Sequence, residues 1–103
     1  MKKTVFDRFV IIEDEDYNRI TIQETVLPNN KVRDFIAKRE FDKKVFKMRD
    51  KFLIGSDLIK FNDNYDALLD KTASMWAIIC DGYEIHFFKN RNYIDIRFDE
   101  IEE

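Results

Sequence analysis

The sequence predicts an α+β fold: an antiparallel sheet, built from an N-terminal hairpin and a C-terminal three-strand meander, with one or two helices packed on one face. Three observations predict it. Residues 75–98 alternate apolar and polar side chains around turn signals, residues 4–26 do so less regularly, and residues 31–54 carry apolar side chains at helical spacing. A length of 103 residues with 45% hydrophobic content indicates a single domain over residues 1–103.

The first turn of the meander is predicted at Asp81-Gly82. This pair favours a two-residue type I′ hairpin turn because both central residues adopt positive φ there. The turn sets Cys80 opposite Tyr83 and Trp76 opposite Phe87. Because strand side chains alternate between the two faces, these four share one apolar face of the sheet.

A second turn is predicted at Asn90-Arg91, which is a weaker turn signal than Asn-Gly. A three- or four-residue loop stays open as the alternative. The two-residue turn pairs Phe87 with Ile94, Glu84 with Arg97 and His86 with Asp95, and it brings Phe88 near Tyr93. Two complementary charge pairs that arise from one register support that register.

The N-terminal hairpin is predicted from strands at Thr4–Glu13 and Asn18–Val26. The first strand alternates poorly, because apolar residues occupy both of its faces. Four consecutive carboxylates form the tip between the two strands, which we call the acidic tip: Glu13, Asp14, Glu15 and Asp16.

A helix is predicted from Lys31 to about Ile54, after an Asn cap in the Pro28-Asn29-Asn30 segment, with Gly55 at its end. Its apolar stripe has helical spacing and consists of Phe41, Val45, Met48 and Phe52. Another apolar group, Val32, Phe35 and Ile36, lies on a different face. Either one long helix is buried on different sides along its length, or the helix breaks near Arg39–Asp42; a strand through Lys44–Met48 is a weaker alternative.

A short second helix is predicted from Asn62 or Asp63, with Tyr65, Leu68 and Leu69 facing inward.

The residue inventory argues against an enzyme and against a bound metal or cofactor. The chain has one Cys and one His, and the predicted register places Cys80 and His86 on opposite faces of the sheet, out of reach of each other. A structural zinc site needs four Cys or His ligands. Gly55 and Gly82 stand alone, so no glycine-rich phosphate loop is present.

Charge is segregated along the chain: residues 1–28, 29–54 and 55–103 carry net charges of −2, +5 and −6. The basic segment places lysines on a helical face away from the apolar stripe, which we call the lysine stripe: Lys43, Lys44, Lys47 and Lys51. Such a stripe contacts phosphates or an acidic protein surface, or it is only solvated. We predict that the lysine stripe and the acidic tip form the partner-binding surfaces.

The N-terminal apolar residues are interrupted by Asp7 and Arg8, which does not fit a signal peptide, and no apolar run is long enough to span a membrane. We therefore expect a cytoplasmic protein without membrane contact. The chain is rich in Phe, Ile, Asn and Lys and poor in Gly, Ala and Pro, which is the codon bias of an AT-rich bacterium, phage or mobile element.

These observations favour a non-enzymatic protein-binding module, namely a phage-type or mobile-element inhibitor or regulator of a host enzyme. A host enzyme that handles nucleic acid, for example in CRISPR defence, is one such target, and the chain would then be an anti-defence protein. The alternative is a small nucleic-acid-binding protein that uses the lysine stripe, with Phe46 as a stacking group. A homodimer through an unpaired strand edge also stays open.

Overall fold

The computed structural model describes residues 1–6, 9–24, 38–70, 74–90 and 93–101. Within these ranges the sheet and helices follow the order β1 (Lys2–Val5), β2 (Phe9–Asp14), β3 (Arg19–Glu24), α1 (Lys38–Phe52), α2 (Ser56–Asp70), β4 (Ser74–Cys80), β5 (Tyr83–Lys89) and β6 (Tyr93–Glu100). The strands form one antiparallel sheet with the order β1-β2-β3-β6-β5-β4. The α+β fold predicted from the sequence is confirmed.

The predicted first strand is two strands. The chain reverses between β1 and β2, where the Phe6 N–H donates to the Phe9 carbonyl at 2.9 Å and the two rings stack with centroids 4.4 Å apart. The reversal changes the phase of the alternation: Thr4 faces the same side as Phe9 and Ile11. The poor alternation of the predicted strand comes from β2 itself, where Phe9 and Ile11 lie on one face and the equally apolar Val10 and Ile12 lie on the other.

The first turn of the meander is confirmed with its register. Asp81 and Gly82 have φ of 32° and 84°, the positive values that a type I′ turn requires. Cys80 lies opposite Tyr83 and Trp76 opposite Phe87, as predicted.

The predicted two-residue turn at Asn90-Arg91 is wrong, and the pairing between β5 and β6 is shifted by two residues. The alternative of a three- or four-residue loop fits, because β5 ends at Lys89 and β6 begins at Tyr93. Phe87 lies opposite Ile96 instead of Ile94. The strands stay paired as far as Asn90 and Tyr93: the Asn90 N–H donates to the Tyr93 carbonyl at 3.0 Å, and the Asn90 side-chain oxygen accepts from the Tyr93 N–H at 2.9 Å. This side-chain hydrogen bond makes Asn90 the last paired residue, not the first turn residue. A shift of two preserves which face each side chain occupies.

The shift does change the polar neighbours. Glu84 lies opposite Asp99 and His86 opposite Arg97, so both predicted charge pairs, Glu84 with Arg97 and His86 with Asp95, are wrong. The expected contact of Phe88 with Tyr93 is present as a ring pair, 5.1 Å between centroids.

Helix α1 spans Lys38–Phe52, so the competing strand at Lys44–Met48 is excluded. The choice between one long helix and two helices depends on residues before Lys38, which lie outside the described residues. The predicted apolar stripe of α1 is confirmed: Phe41 and Val45 are fully buried, and Met48 and Phe52 pack against the core. Gly55 adopts a φ of +61° in the turn between the helices, a conformation that favours glycine. The predicted cap at 28–30, the helix start at Lys31 and the residues Val32, Phe35 and Ile36 lie outside the described residues.

Helix α2 begins at Ser56, about two turns before the predicted start. The prediction overlooked Phe61, which lies one turn before Tyr65 and is buried with it and with Leu68. The Gly55 carbonyl accepts the Leu58 N–H at 3.1 Å and so begins the helix ahead of the polar Asn62-Asp63 pair.

Both helices cover the same face of the sheet. Phe52 of α1 contacts Tyr83 and Phe98, with ring centroids 4.9 and 5.4 Å away. Phe61 of α2 contacts Phe87 and Phe98 at 5.4 and 5.6 Å. The core is therefore a layer of aromatic rings between the helices and the central strands.

Tyr65 links the two helices, because its hydroxyl donates a hydrogen bond to the Asp42 carboxylate of α1. Burial, and then this hydrogen bond, raise the pKa of Tyr65 far above its ordinary value of about 10. The folded chain therefore keeps a proton that the unfolded chain releases at high pH. We expect the free energy of unfolding to fall above about pH 10, by about 1.4 kcal/mol per pH unit for this one group.

Urea unfolding between neutral and alkaline pH measures this slope. The Cys80→Ala background removes the thiol, whose pKa burial also raises and which adds a slope of the same sign. In that background Tyr65→Phe is expected to flatten the alkaline slope. An unchanged slope would show that other groups cause it.

Candidate functional site

The structure divides the acidic tip between different surfaces. Glu13 lies on the helix-covered side and forms an ion pair of 2.9 Å with Lys44 of α1. Asp14, the next residue in β2, points to the opposite face and lies across from Arg19 of β3. Glu15 and Asp16 are exposed in the turn that follows. The predicted single acidic surface is thus confined to the turn.

The lysine stripe is divided in the same way. Lys44 is largely withdrawn from solvent, with a side-chain exposure of 20%, by its pairing with Glu13. Lys43, Lys47 and Lys51 are exposed and recur every fourth residue on the outer side of α1. Arg39, four residues before Lys43, is exposed as well and extends the row. The sequence carried this signal in the i, i+4 spacing, but the prediction omitted Arg39.

The predicted stacking group Phe46 packs against the core. Its ring meets Tyr65 edge-on at 5.7 Å, and the Arg49 guanidinium covers it at 4.5 Å. These contacts engage the ring within the fold, so Phe46 is not presented to a nucleic-acid base.

The sheet face opposite the helices is not covered by any described helix or strand, and we call it the open face. It exposes large apolar side chains toward both lateral edges: Val5 of β1 is 69% exposed, and Met75 and Ile79 of β4 are 77% and 63% exposed. Contiguous exposed apolar surface marks interaction sites, and Met75 and Ile79 flank Ala77 on this face of β4, whereas Val5 lies at the opposite edge. No pattern within β1 or β4 alone showed which face the helices would leave open.

The centre of the open face is polar and is held by internal ion pairs. Asp95 of β6 accepts from the Arg19 side chain through both oxygens, at 2.8 and 2.6 Å, and from the Thr21 hydroxyl at 2.9 Å. This bidentate pair joins the N-terminal hairpin to the meander.

A second polar group lies on the same strand, where Asp99 accepts from Arg97 at 2.8 Å and lies 3.3 Å from the His86 ring nitrogen. The central charges on this face are therefore matched within the protein.

A shallow cavity of about 330 Å³ opens between β2, β3 and β6 on the open face. Its polar lining comes from Asp14, Arg19, Thr21 and Gln23, and Tyr93 forms an apolar wall. Because the Arg19 charge is already paired with Asp95, the cavity does not present an uncompensated cation. An uncharged side chain of a protein partner, with both apolar and polar atoms, fits this lining better than an anionic ligand does.

Nucleophilic and metal chemistry find little support in the described residues. Cys80 is buried on the helix-covered face, where burial, with the nearby Asp57 carboxylate as a smaller contribution, raises the pKa of its thiol. A raised pKa disfavours the thiolate, which is the reactive form. His86 lies on the open face opposite Ala77, so the predicted separation of Cys80 from His86 is confirmed. Across the described ranges no cluster of three His, Cys, Asp or Glu residues has the arrangement of a metal site.

Neither α1 nor α2, the helices that the structure describes, has the length and apolar character needed to cross a membrane. No protein-family model matches this chain, and comparison with the curated proteins and with the solved structures finds no significant similarity.

Proposed function

We propose that this chain is a non-enzymatic protein-binding module that inhibits or regulates a host enzyme, and that it docks through the open face of its sheet. The observation that carries the proposal is the asymmetry of the sheet. One face is sealed by α1 and α2, and the other exposes Val5, Met75 and Ile79 around a polar centre.

The chemistry of the open face favours a protein over a small molecule. A small-molecule site is concave and encloses most of its ligand. This face is broad, its described cavity is shallow, and it mixes apolar side chains with polar groups whose hydrogen bonds are made internally. Protein interfaces mix apolar and polar surface. Here the polar groups lie at the centre of the face and the apolar side chains lie toward its edges.

A target that handles nucleic acid is supported by charge. The chain has a net charge of −3, and Glu15 and Asp16 project from the β2–β3 turn beside Asp14 at the end of the open face. Carboxylates in a row can occupy a cationic groove that an enzyme uses for a nucleic-acid backbone, and complementary charge speeds such an encounter. The AT-biased residue usage supports a phage or mobile-element source, with a host defence enzyme such as a CRISPR effector as an example of the target class.

The test is affinity capture with the tagged chain from lysate of an AT-rich bacterium, with and without nuclease, followed by a binding titration with the captured protein. We expect an equimolar complex that survives nuclease. The double variant Val5→Glu/Gln23→Arg changes two exposed open-face positions and is expected to weaken the complex about tenfold or more, or about 1.4 kcal/mol.

The matched control is Ile59→Glu, which places a charge at an exposed apolar position of α2 on the other side of the molecule. It is expected to leave the affinity unchanged. If the open-face double variant binds as the unmodified chain does, or if Ile59→Glu alone abolishes the complex, the open face is not the docking surface.

The exposed row of Arg39, Lys43, Lys47 and Lys51 supports a second candidate function, nucleic-acid binding along α1. Contacts to phosphates make affinity fall steeply with salt. A gel shift at low salt that disappears at high salt, and in Lys43→Glu/Lys47→Glu, would favour this function over the first. A shift that the double variant leaves intact would remove it.

A further inference from the structure

Strand β4 forms one lateral edge of the sheet, and β5 is the described strand with which it pairs. Cys80 and Tyr83 close the two-residue turn, so they form a hydrogen-bonded pair, and the alternation of an antiparallel ladder follows from them. The backbone N–H and C=O groups of Met75, Ala77 and Ile79 therefore point to the outer edge. The structure agrees at Ile79, whose carbonyl accepts a hydrogen bond from the Lys60 ammonium of α2 at 2.7 Å.

The two edges of the sheet differ in how they discourage pairing. The β1 edge has four residues and carries Lys2 and Lys3, and short strands with lysines are a common protection against edge association. The β4 edge has seven residues, SMWAIIC, with no charged residue and no proline. Lys60 reaches the β4 edge at its Ile79 end. A long, uncharged and apolar edge is a template for another strand.

We infer that β4 pairs antiparallel with β4 of a second copy of this chain, about a two-fold axis between the two Ala77 residues. This register places Met75 of each copy opposite Ile79 of the other on the open face. On the helix-covered face Trp76 lies opposite Ile78. Ladder hydrogen bonds form between the two Ala77 residues and between Met75 and Ile79 on each side of the axis.

A second copy suits this edge because the strand is complementary to itself. A two-fold interface uses the same patch on both subunits, so any charge in the strand would meet a like charge or an apolar side chain near the axis. Strand β4 has none, and its small residue, Ala77, lies at the axis, where it faces the same residue of the other copy. The Ile79 carbonyl has two lone pairs and can accept the Met75 N–H beside Lys60.

The dimer joins two six-stranded sheets into one continuous sheet with both open faces on the same side. This assignment does not depend on the proposed function, because dimerisation requires no host protein. It also leaves Val5 and Gln23, on the β1 and β3 strands, far from the dimer axis. Failure of the dimer and failure of the proposed docking surface are therefore separate results.

The test is sedimentation equilibrium of the purified chain from micromolar to submillimolar concentrations. We expect a monomer–dimer equilibrium. Ala77→Pro removes an outward N–H without breaking the pairing to β5 and is expected to weaken dimerisation at least tenfold, as is Ile79→Lys at an exposed position. The matched controls are Val5→Pro and Val5→Lys on the other edge, which are expected to dimerise as the unmodified chain does. Circular dichroism verifies that each variant is folded.

Cross-linking tests the register. Paired residues of this kind have Cα atoms about 5.5 Å apart, within the range of a disulfide, so Ala77→Cys is expected to give a covalent dimer under mild oxidation and Val5→Cys is not. A chain that stays monomeric at every concentration would overturn the inference, even if its β4 edge binds a different protein. So would a dimer that Ala77→Pro and Ile79→Lys both leave intact.

Discussion

Replacement of Phe61 by alanine is expected to lower the free energy of unfolding by about 3–5 kcal/mol, the largest effect of any single truncation considered for this chain. Phe61 is fully buried on α2, and its ring contacts Tyr65 of the same helix and Phe87 and Phe98 of the sheet. The truncation removes a large apolar group from water-free surroundings and leaves a cavity that rigid neighbouring rings fill poorly. Equilibrium urea unfolding at neutral pH measures the change.

The matched control is Ile59→Ala on the same helix. Ile59 is exposed, so its truncation is expected to change the free energy of unfolding by no more than about 0.5 kcal/mol. A loss below about 1 kcal/mol for Phe61→Ala would mean that the aromatic layer collapses onto the space or that α2 is not docked on the sheet as described.

The layout of the sheet was predictable where local rules determine it. Asp81-Gly82 specified both the turn and the register of β4 with β5, because a two-residue turn at this position allows only one pairing of the two strands. The second turn had no such signal: the Asn90 side chain, by capping the Tyr93 N–H, decided between two registers that place the same residues on the same faces. Hydrophobic alternation cannot separate registers that differ by two residues.

Helix boundaries depended on contacts that the sequence does not show locally. The start of α2 at Ser56 follows from the burial of Phe61 against Phe87, a residue of a distant strand. Asn62 or Asp63 was predicted to cap the helix, but a cap that stabilises by about 1 kcal/mol does not outweigh a buried phenylalanine. Tertiary packing therefore extended the helix by about two turns.

The candidate site was predictable in composition and not in placement. Each charged residue of the acidic tip and the lysine stripe was identifiable, but the pairing of Glu13 with Lys44 joins positions 31 residues apart. That contact depends on how α1 crosses the N-terminal hairpin. The open face was beyond prediction for a related reason: alternation shows that a strand has two faces, and only the docking of both helices on one side shows which face stays exposed.

Replacement of Asp95 by alanine is the second large expected effect, a loss of about 1.5–3 kcal/mol in the free energy of unfolding. Asp95 is 16% exposed, and it accepts from Arg19 through both oxygens and from the Thr21 hydroxyl, so its removal leaves both donors without this acceptor. The Arg19 side chain is 43% exposed and regains water in part, which keeps the loss below that of a fully buried ion pair. The pair spans β3 and β6, the junction that joins the hairpin to the meander.

A double-mutant cycle isolates this junction. Arg19→Ala, Asp95→Ala and the double variant are expected to give a coupling energy of about 1–2 kcal/mol by urea unfolding. Asp99→Ala is the control. Asp99 lies four residues after Asp95 on the same face of β6 and is more exposed, so its replacement is expected to lower the free energy of unfolding by less than about 1 kcal/mol. If Asp95 and Asp99 prove equally dispensable, side-chain ion pairing does not hold the two halves of the sheet together. Buried apolar contacts, namely the pairs Ile20–Ile96 and Ile22–Ile94, would then stabilise the junction between β3 and β6 without the ion pair.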